Sequence, residues 1–573
     1  MRNDALKICV IFLFVVLFIS MAHIQLLKSD AYRKLAEKNI LRVVPIEAPR
    51  GKIFDRKNRV LVSNRLSLDV ALIYHEIIGS EEQCIDLLSA VLGVSKKEVV
   101  GRLEKSRKMP YVPVVIFEDV DKEKAIVLEQ ESFALKGIVI ESKAERDYPF
   151  GSVGAHLIGY LGEVNRKEVE RLKPYGYRLK DWVGRSGLEA YYNDYLMGKG
   201  GGLLTEVDNR GRQVQVLGLK EPSGGKDLYL TIDIAIQEQA EKLLEGVKGA
   251  IVVMNATNGE VLALASRPSF DPTVFIASDS SRSRVKLLHD TTHPLINRAI
   301  TGTYPPGSVF KVVVATAGLE TKRISETDSF VCTGAYALGR SLFHCWRSEG
   351  HGSQNLLEGM KNSCNVYFYS IGRRLGVDRI EQYANRFGFG RPTGIDIPEE
   401  APGLVPGRLW KMIAQKTPWY EGETINYAIG QGYLLVTPLQ ITRMIAVIAN
   451  DGYLVRPFLV RRIDSTDCSR VTATSLGFSP RTLRTLRQSL VNVVNAEGGT
   501  GRAARLDDVV VAGKTGTAQN PDKTPHSWFC GFAPADKPKI SLTVFVEHGG
   551  KGGIIAAKLA RSLFETIRNE GYL

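Results

Sequence analysis

The chain has 573 residues, of which 44% are hydrophobic and 24% charged, and this balance excludes a mainly disordered protein. Its one long apolar stretch excludes a membrane protein with many spans. The formal net charge of +13 is compatible with an anionic partner and equally with a charged surface that only keeps the protein soluble. The chain has neither zinc-finger spacing nor an aromatic RNA-binding signature, so we expect no nucleic acid.

The first predicted element is a transmembrane helix. Residues 8–27 read ICVIFLFVVLFISMAHIQLL, a stretch just long enough to span a hydrocarbon core of about 30 Å. A cleaved signal peptide has a shorter apolar stretch and a small-x-small cleavage site, so we expect an uncleaved anchor. Basic residues follow the stretch, but long domains translocate largely regardless of flanking charge. Charge alone therefore leaves the orientation open.

The clearest linker is Glu221–Lys226 (EPSGGK). It predicts an anchor over residues 1–27, an α+β region over 28–225 and a larger α+β domain over 226–573. In chain order, the residue patterns predict strands and turns over 51–71, a helix over 80–105, a short helix within 184–202, the start of a new unit at 227–233, a helix over 234–244 and a hairpin over 249–265. Toward the C-terminus they predict strands at 509–512, 527–533 and 540–547 and a helix at 555–568. Strands at both ends with helices between them predict an antiparallel sheet in which the two ends pair.

The first candidate catalytic motif is Ser308–Lys311 (SVFK), which follows a Pro-Gly turn and opens an apolar helical run. Residues i and i+3 share a helix face, so the Lys311 amine can take the proton of the Ser308 hydroxyl. A serine at a helix start also places backbone N–H groups where an oxyanion can form. Taken alone, the pattern equally fits an N-cap serine followed by a solvated lysine.

Two further motifs follow in order. Ser363–Asn365 (SCN) lies in a run, 361–375, that is predicted to be helical, and Lys514–Thr517 (KTGT) follows an apolar strand. Each alone is compatible with an ordinary helix end or strand end. The ordered set of S-x-x-K, S-x-N and K-T-G is the signature of class A β-lactamases and penicillin-binding proteins.

The whole chain resembles a class B penicillin-binding protein. Motifs like those of the family's pedestal occur at 50–56 (RGKIFDR), 146–151 (RDYPFG), 155–159 (AHLIG) and 184–189 (GRSGLE), and blocks like those of its catalytic domain occur at 430–432 (GQG), 437–440 (TPLQ) and 528–534 (WFCGFAP). The resemblance implies an α+β fold: a β-lactamase/transpeptidase-like domain, with an antiparallel sheet flanked by helices, preceded by an elongated α+β pedestal and a single transmembrane helix. A class A member would need a glycosyltransferase domain, and the surroundings of Glu118 and Asp119 do not fit its catalytic acid.

The resemblance also implies a reaction. Ser308 would attack the D-Ala-D-Ala bond of a peptidoglycan stem peptide, D-Ala would leave, and an amine of a neighbouring stem would resolve the acyl-enzyme into a crosslink. Lys311 would be the base, kept neutral by burial and by the nearby Lys514. Ser363 and Asn365 would relay the proton and hold the donor peptide. A minor carboxypeptidase activity would accompany the transpeptidase, and β-lactams would inhibit it.

The remaining site residues are expected to bind the donor. Lys514, Thr515, Gly516 and Thr517 would hold its terminal carboxylate, and the backbone N–H groups of Ser308 and Thr517 would form the oxyanion hole. Because the wall polymer lies outside the cell membrane, the chain beyond residue 27 would face outward. A polytopic glycosyltransferase of the SEDS family is the partner that the resemblance implies.

A cysteine- and histidine-rich stretch between the first two motifs suggests a metal. Thiolate, imidazole and carboxylate are the ligands of tetrahedral zinc. Elongation-type members of the family can carry a zinc near the active site, and by that resemblance its ligands would be Asp328, Cys345, His351 and Cys364. A disulfide between Cys332 and Cys345 is the competing interpretation. This stretch, with residues 525–529 (PHSWF), favours an elongation enzyme over a septal one; a β-lactam sensor or hydrolase of the same fold and a non-catalytic scaffold are the less favoured alternatives.

Overall fold

The computed structural model describes residues 2–30, 32–33, 41–133, 135–175, 177–208, 213–277, 280–469, 471–520 and 523–573. These residues form two compact units, each built from several stretches of chain. The first unit contains residues 1–51, 64–147 and 197–226, and the second contains 52–63, 148–196 and 227–573. The division differs from the linear one expected at 225, because residues 53–54 pair with a strand at 228–230 and 155–158 pack on one at 261–267.

The first unit opens with the expected apolar helix. This helix comprises Arg2–Ala22 and continues as a short π-helix, His23–Leu27. Within the described ranges, Leu6–Leu27 is the one helix long and apolar enough to cross a membrane, which agrees with the anchor predicted at 8–27. A three-stranded antiparallel sheet belongs to the same unit and contains the strands Leu41–Ile46, Gly201–Val207 and Gln213–Lys220.

The rest of the first unit is a small α+β body. Its strands are Val60–Leu72, whose first residues belong to the second unit, Val114–Phe117 and Ile138–Asp147, and its helices are Glu81–Leu92, Lys96–Arg107 and Lys122–Glu131. The single helix predicted over 80–105 is therefore two helices. Gly93 ends the first in the left-handed conformation, at φ +72°, and the Ser95 hydroxyl caps the second.

The second unit includes short elements that the N-terminal half contributes. They are the strands Ile53–Phe54, Leu161–Glu163 and Trp182–Gly184 and the helices Ala155–Ile158, Arg166–Leu172, Gly187–Tyr191 and Asn193–Leu196. Buried hydrogen bonds fix them to the catalytic domain: His156 Nε2 lies 2.7 Å from the Pro294 carbonyl oxygen, and the Tyr192 hydroxyl donates to Asp396.

A five-stranded antiparallel sheet forms the centre of the second unit. In spatial order its strands are Val261–Arg267, Gly249–Asn255, Ile540–Val546, Lys523–Ala533 and Ala512–Asn520. The hairpin predicted at 249–265 is confirmed, and so is the pairing of the two ends of the domain, because Gly249–Asn255 pairs with Ile540–Val546. The sheet therefore closes the catalytic domain on itself and leaves Ala512–Asn520 as an edge strand.

Helices cover this sheet. Ile234–Leu243 and Ile555–Asn569 pack on it as predicted, and Pro438–Ala449 is a buried helix whose Thr437 and Gln440 form a capping box. The other helices of the domain are Thr273–Ile276, Ser281–Leu288, Lys311–Glu320, Leu356–Lys361, Asn365–Leu375, Val377–Arg386, Arg408–Gln415, Glu421–Tyr427 and Pro480–Asn495. Its minor strands are Leu228–Leu230, Phe330–Cys332, Ala335–Leu338, Ser341–His344, Gly352–Gln354, Tyr453–Val455, Val460–Ile463, Thr466–Asp467 and Ala473–Ser475.

Candidate active site

The nucleophile candidate Ser308 lies in one 3-10 turn, Gly307–Phe310, that leads straight into the helix Lys311–Glu320. Gly307 adopts φ +56°, and a β-carbon there would lie 2.8 Å from the Thr517 carbonyl oxygen. Only glycine avoids that clash and the unfavourable backbone conformation together. The serine turn and the KTGT strand can therefore approach each other this closely.

Three hydrogen bonds hold the segment before Ser308. The Trp528 indole donates to the Pro305 carbonyl at 3.1 Å, and the Gly307 N–H donates to the Gly430 carbonyl at 2.9 Å. The Tyr304 hydroxyl donates to Glu547 at 2.6 Å. Because the donors and acceptors come from separate parts of the domain, the half-buried Ser308 is held in a fixed position before substrate arrives.

Lys311 is completely buried beneath the serine turn. Its amine donates to the Ser363 carbonyl at 2.8 Å, to Asn365 Oδ1 at 2.8 Å and to Ser363 Oγ at 3.3 Å. Burial lowers the pKa of Lys311 to about 8. The expected direct hydrogen bond to Ser308 is not among those it makes within the described ranges, since the amine turns toward the Ser363–Asn365 segment instead.

Ser363 lies between two helices rather than inside one. The run predicted to be a single helix is split into Leu356–Lys361 and Asn365–Leu375, because Ser363 adopts the left-handed conformation at φ +50°. That conformation is uncommon outside glycine and is found at functional sites. Here it directs the Ser363 hydroxyl between two lysines, at 2.9 Å from Lys514 Nζ and 3.3 Å from Lys311 Nζ.

The KTGT motif lies inside the edge strand Ala512–Asn520, not in a turn after a strand at 509–512 as the sequence suggested. Lys514 is fully buried and donates to Ser363 Oγ and to the Thr515 carbonyl. Burial, and next the charge of Lys311, lower its pKa well below the usual value. Gly516 packs against the serine turn, where an added β-carbon would meet the Pro306 carbonyl oxygen at 2.9 Å. Thr517 is exposed along the same strand.

These residues form one site with a clear chemical capability. A fixed serine, a buried lysine of lowered pKa and a second hydroxyl placed between two amines are the parts needed to activate a nucleophile and return a proton to a leaving group. The second buried lysine lies on an edge strand, where a peptide main chain and a carboxylate can bind. The arrangement defines a serine acyltransferase that acts through an acyl-enzyme.

A second cluster lies directly beside this site. The ligand atoms of Cys332, Cys345, His351 and Cys364 all lie within 4.8 Å of one another. His351 Nδ1 is 3.6 Å from the Cys332 sulfur and 3.5 Å from the Cys345 sulfur, and all seven cysteines are free thiols. Cys345 and Cys364 share a hydrogen bond that lowers the pKa of Cys345 and raises that of Cys364.

This cluster differs from the predicted ligand set at one position. Asp328 lies outside it: its carboxylate pairs with Arg374 at 2.9 Å and accepts a hydrogen bond from Ser325. Cys332 takes the fourth place because the strand Phe330–Cys332 pairs with Gly352–Gln354, which brings it beside His351. In the sequence, Cys332 was interpreted as a disulfide partner of Cys345 rather than as a metal ligand.

Comparison with known proteins gives the same class. Residues 249–565 match the profile of the penicillin-binding protein transpeptidase domain, and residues 45–230 match that of the penicillin-binding protein dimerisation domain. The peptidoglycan D,D-transpeptidase MrdA of Haemophilus influenzae is 32% identical over 97% of this chain and 89% of its own length. The MrdA of Escherichia coli K12 is 31% identical over 96% and 91%.

Solved structures agree. Penicillin-binding protein PBP2 of Helicobacter pylori, in its complex with MreC, is 30% identical and covers 93% of this chain and 100% of its own, with a TM-score of 0.83. A chain from a peptidoglycan synthase complex that couples polymerisation and crosslinking is 33% identical over 99% and 98%, with a TM-score of 0.77. This chain belongs to the penicillin-binding protein family, in which it is a serine-type D,D-transpeptidase with a dimerisation-type domain.

The sequence did not single out the residues that hold the serine turn. Tyr304 and Glu547 lie 243 positions apart, and Trp528 contacts Pro305 across 223 positions. Single-sequence spacing carries no information on such contacts. The family blocks at 430–432 and 528–534 contain two members of this framework, Gly430 and Trp528, but their resemblance did not indicate what these residues contact.

Proposed function

We propose that the chain crosslinks peptidoglycan on the outer face of the cell membrane during cell elongation. The observation that carries the proposal is that hydrogen bonds join Lys311, Ser363, Asn365 and Lys514, and that Lys311 begins the helix into which the Ser308 turn leads. The MrdA relatives and the PBP2 structures support the elongation branch. The septal alternative is disfavoured by the same relatives.

The proposed reaction starts with the lysine. Neutral Lys311 accepts the Ser308 proton while Ser308 Oγ attacks the carbonyl carbon of the penultimate D-Ala. The C–N bond breaks, D-Ala leaves, and its nitrogen receives a proton through the Ser363 hydroxyl, which lies between the two amines. Lys514 and the edge strand bind the donor's terminal carboxylate. An amine from a second stem then attacks the acyl carbon, the bond from that carbon to Ser308 Oγ breaks, and the proton lost by the amine passes to Ser308 Oγ, which regenerates the hydroxyl.

Labelling with a fluorescent penicillin tests this assignment. Wild-type full-length chain should form one adduct, mapped to Ser308 by mass spectrometry, whereas Ser308→Ala should form none. Ser348→Ala is the matched control, because that hydroxyl is exposed and bonds only Glu349 among the described residues. Adduct formation in Ser308→Ala would show that another residue is the nucleophile. An adduct lifetime of seconds rather than hours would favour a hydrolase.

The position of the polymer sets the proposed orientation. The substrate lies outside the membrane, so residues 28–573 are placed on that side and Leu6–Leu27 serves as the anchor. A phosphatase reporter that is active only outside the membrane, fused after Leu573, should be active. An inactive reporter on a folded, membrane-bound chain would contradict this orientation.

The partner we propose for the membrane-proximal sheet is a polytopic glycosyltransferase of the SEDS family. The sheet begins 14 residues after the anchor helix ends and exposes aliphatic side chains on two of its strands, among them Val43, Val214, Val216 and Leu219. Apolar patches near a membrane mark contact surfaces. Val216→Asp should reduce co-purification of the glycosyltransferase while penicillin labelling persists. Undiminished co-purification would argue against this surface.

We also propose that the cysteine–histidine cluster holds a structural zinc. Tetrahedral zinc binds thiolate and imidazole at about 2.0–2.3 Å, which places its four donors within about 4 Å of one another. The donor atoms of the cluster lie within 4.8 Å of one another, so they need to move together only slightly to reach that arrangement. Cys332, Cys345, His351 and Cys364 would be the ligands, and four protein donors leave no open position for substrate. The metal would fasten the segment that carries Ser363 and Asn365, because Cys364 lies between them.

A further inference from the structure

Trp346 is an exposed aromatic side chain beside the segment Ser363–Asn365, called here the catalytic segment. The chain has five tryptophans, and the other four, Trp182, Trp410, Trp419 and Trp528, are buried or half-buried. Trp346 is 59% exposed although it lies next to the buried Cys345. Exposure of a single large hydrophobic side chain is common on protein surfaces and needs no explanation by itself.

What distinguishes Trp346 is that its ring is fixed. The indole N–H donates to the Asn362 carbonyl at 3.1 Å, and Asn362 directly precedes Ser363. The ring also lies edge-to-face against His351, with centroids 5.1 Å apart. One hydrogen bond and one aromatic contact therefore hold the indole in a constant position relative to the catalytic segment.

The environment of the ring is polar. Arg347 and Glu349, which follow it in the chain, are exposed and pair only loosely at 3.8 Å. The result is an exposed flat apolar face whose next neighbours in the chain are charged or polar. Because the ring is already ordered, a ligand that stacks on it loses little side-chain freedom, which favours binding.

We propose that Trp346 is a stacking platform for a sugar ring of the glycan to which the stem peptides are attached. The inference rests on the proposed function, and it adds a subsite for the carbohydrate end of the substrate. A pyranose has one face of C–H groups and hydroxyls around its edge. Stacking on indole covers the C–H face and leaves the hydroxyls to water.

The stem peptide separates the sugar from the bond that reacts. An extended stem peptide of about five residues spans roughly 16 Å, so a sugar attached to a stem bound at Ser308 stays at the surface of the same domain. The Trp346 indole bonds the carbonyl of Asn362, the residue directly before the Ser363–Asn365 segment that is proposed to hold the donor. The glycan rather than the peptide is the occupant we infer, because the peptide already has the edge strand to pair with.

The test compares two substrates on the full-length protein in detergent. One is a D-Ala-D-Ala pentapeptide, and the other is the same pentapeptide carrying the N-acetylglucosaminyl–N-acetylmuramyl disaccharide. The measured quantity is the ratio of their kcat/KM values for acyl-enzyme formation. Trp346→Ala should lower the ratio by about three- to tenfold, the order expected for one stacked ring. Trp346→Phe should lose less, because it keeps a flat face.

Two controls separate a platform from a positioning role. Leu342→Ala removes an exposed apolar side chain on the neighbouring hairpin and should leave the ratio unchanged. Penicillin acylation, which needs no sugar, should stay within twofold of wild type in all three variants. An unchanged ratio in Trp346→Ala overturns the proposal, and so does an equal loss with both peptides and penicillin. Absence of penicillin acylation in the wild type would instead contradict the proposed function.

Discussion

The site around Lys311 and Lys514, called here the lysine centre, and the cysteine–histidine cluster share the segment Ser363–Asn365. Their polar groups have opposite roles. In the lysine centre, two ammonium groups are withdrawn from water and their pKa values fall, so a proton can be moved. In the cluster, three thiols and an imidazole converge so that they can be fixed by one ion. Ser363 and Asn365 belong to the first and Cys364 to the second. In this segment, the residues proposed to take part in the reaction therefore flank the one proposed to hold the segment rigid.

This difference predicts which amino-acid substitutions the protein should tolerate. A proton-transfer group acts by its protonation state, so a substitution that preserves shape still removes its function. A structural ligand acts by holding neighbours in place, so its loss should weaken the site without abolishing the chemistry. Three experiments test this distinction, each on one side of the shared segment.

The largest effect is expected for Lys311→Ala. Removing the base leaves the Ser308 hydroxyl without a proton acceptor, so penicillin acylation should slow by about 10²–10⁴-fold. Stopped-flow acylation measures the rate, and thermal unfolding checks that the variant folds. Lys322→Ala, an exposed lysine beyond the end of the same helix, is the matched control and should acylate normally. A Lys311→Ala rate within tenfold of wild type would remove Lys311 from the proton path.

The next effect is the pH dependence of acylation in the wild type. Lys311 is the base only when neutral, and its pKa of about 8 means that the neutral fraction rises with pH through that value. From pH 7 to pH 9 the neutral fraction, and with it the acylation rate, should increase by about tenfold. Burial lowers this pKa, and the nearby thiols of Cys364 and Cys345 act the other way. A flat profile over this range in a protein that stays folded would contradict the assignment.

The smallest effect on catalysis is expected in the cluster. Cys332→Ser should lose most of the bound zinc after dialysis, because one of the four donors is weakened, whereas Asp328→Asn should keep one equivalent. Metal analysis and the melting temperature are the measurements. Acylation by penicillin should fall only severalfold in Cys332→Ser, since the lysines are unchanged. Equal zinc loss in both variants would restore Asp328 as a ligand.

Zinc-free wild type with a Cys332–Cys345 disulfide, seen by mass spectrometry, would instead support the covalent alternative. The two sulfurs lie inside the same 4.8 Å cluster, and a disulfide would require them to move to about 2.05 Å from each other. The cysteine–histidine cluster would still differ from the lysine centre, because a disulfide is also a structural constraint and does not transfer protons.

The sequence predicted which residues lie together at the site, but not their local conformation. The order of Ser308, Ser363 and Lys514 was enough to predict one site, because that order is specific. The break at Ser363 was not predictable, since a serine at φ +50° has no signature in a helical-looking run. The sequence placed KTGT after an apolar strand at 509–512, whereas pairing with Lys523–Ala533 includes it in the strand Ala512–Asn520.

The same limit applies to the donors of the cluster. Cys345, His351 and Cys364 could be named from residue type and resemblance. Cys332 could not be chosen over Asp328, because only strand pairing decides which side chain lies beside His351. The fold class and the paired ends of the domain followed from patterns of apolar residues, which are local. The interleaving of the two units did not, because it depends on contacts between distant stretches.

That interleaving limits how the gene can be divided. The larger unit takes residues 52–63 and 148–196 from the N-terminal half, so a single cut near residue 226 does not separate two complete bodies. A fragment that starts there lacks the stretch whose His156 and Tyr192 bond Pro294 and Asp396. Exchange of the N-terminal half between relatives would carry part of the catalytic body with it. Because each unit is made of several separated stretches, we expect the two units to be inherited together.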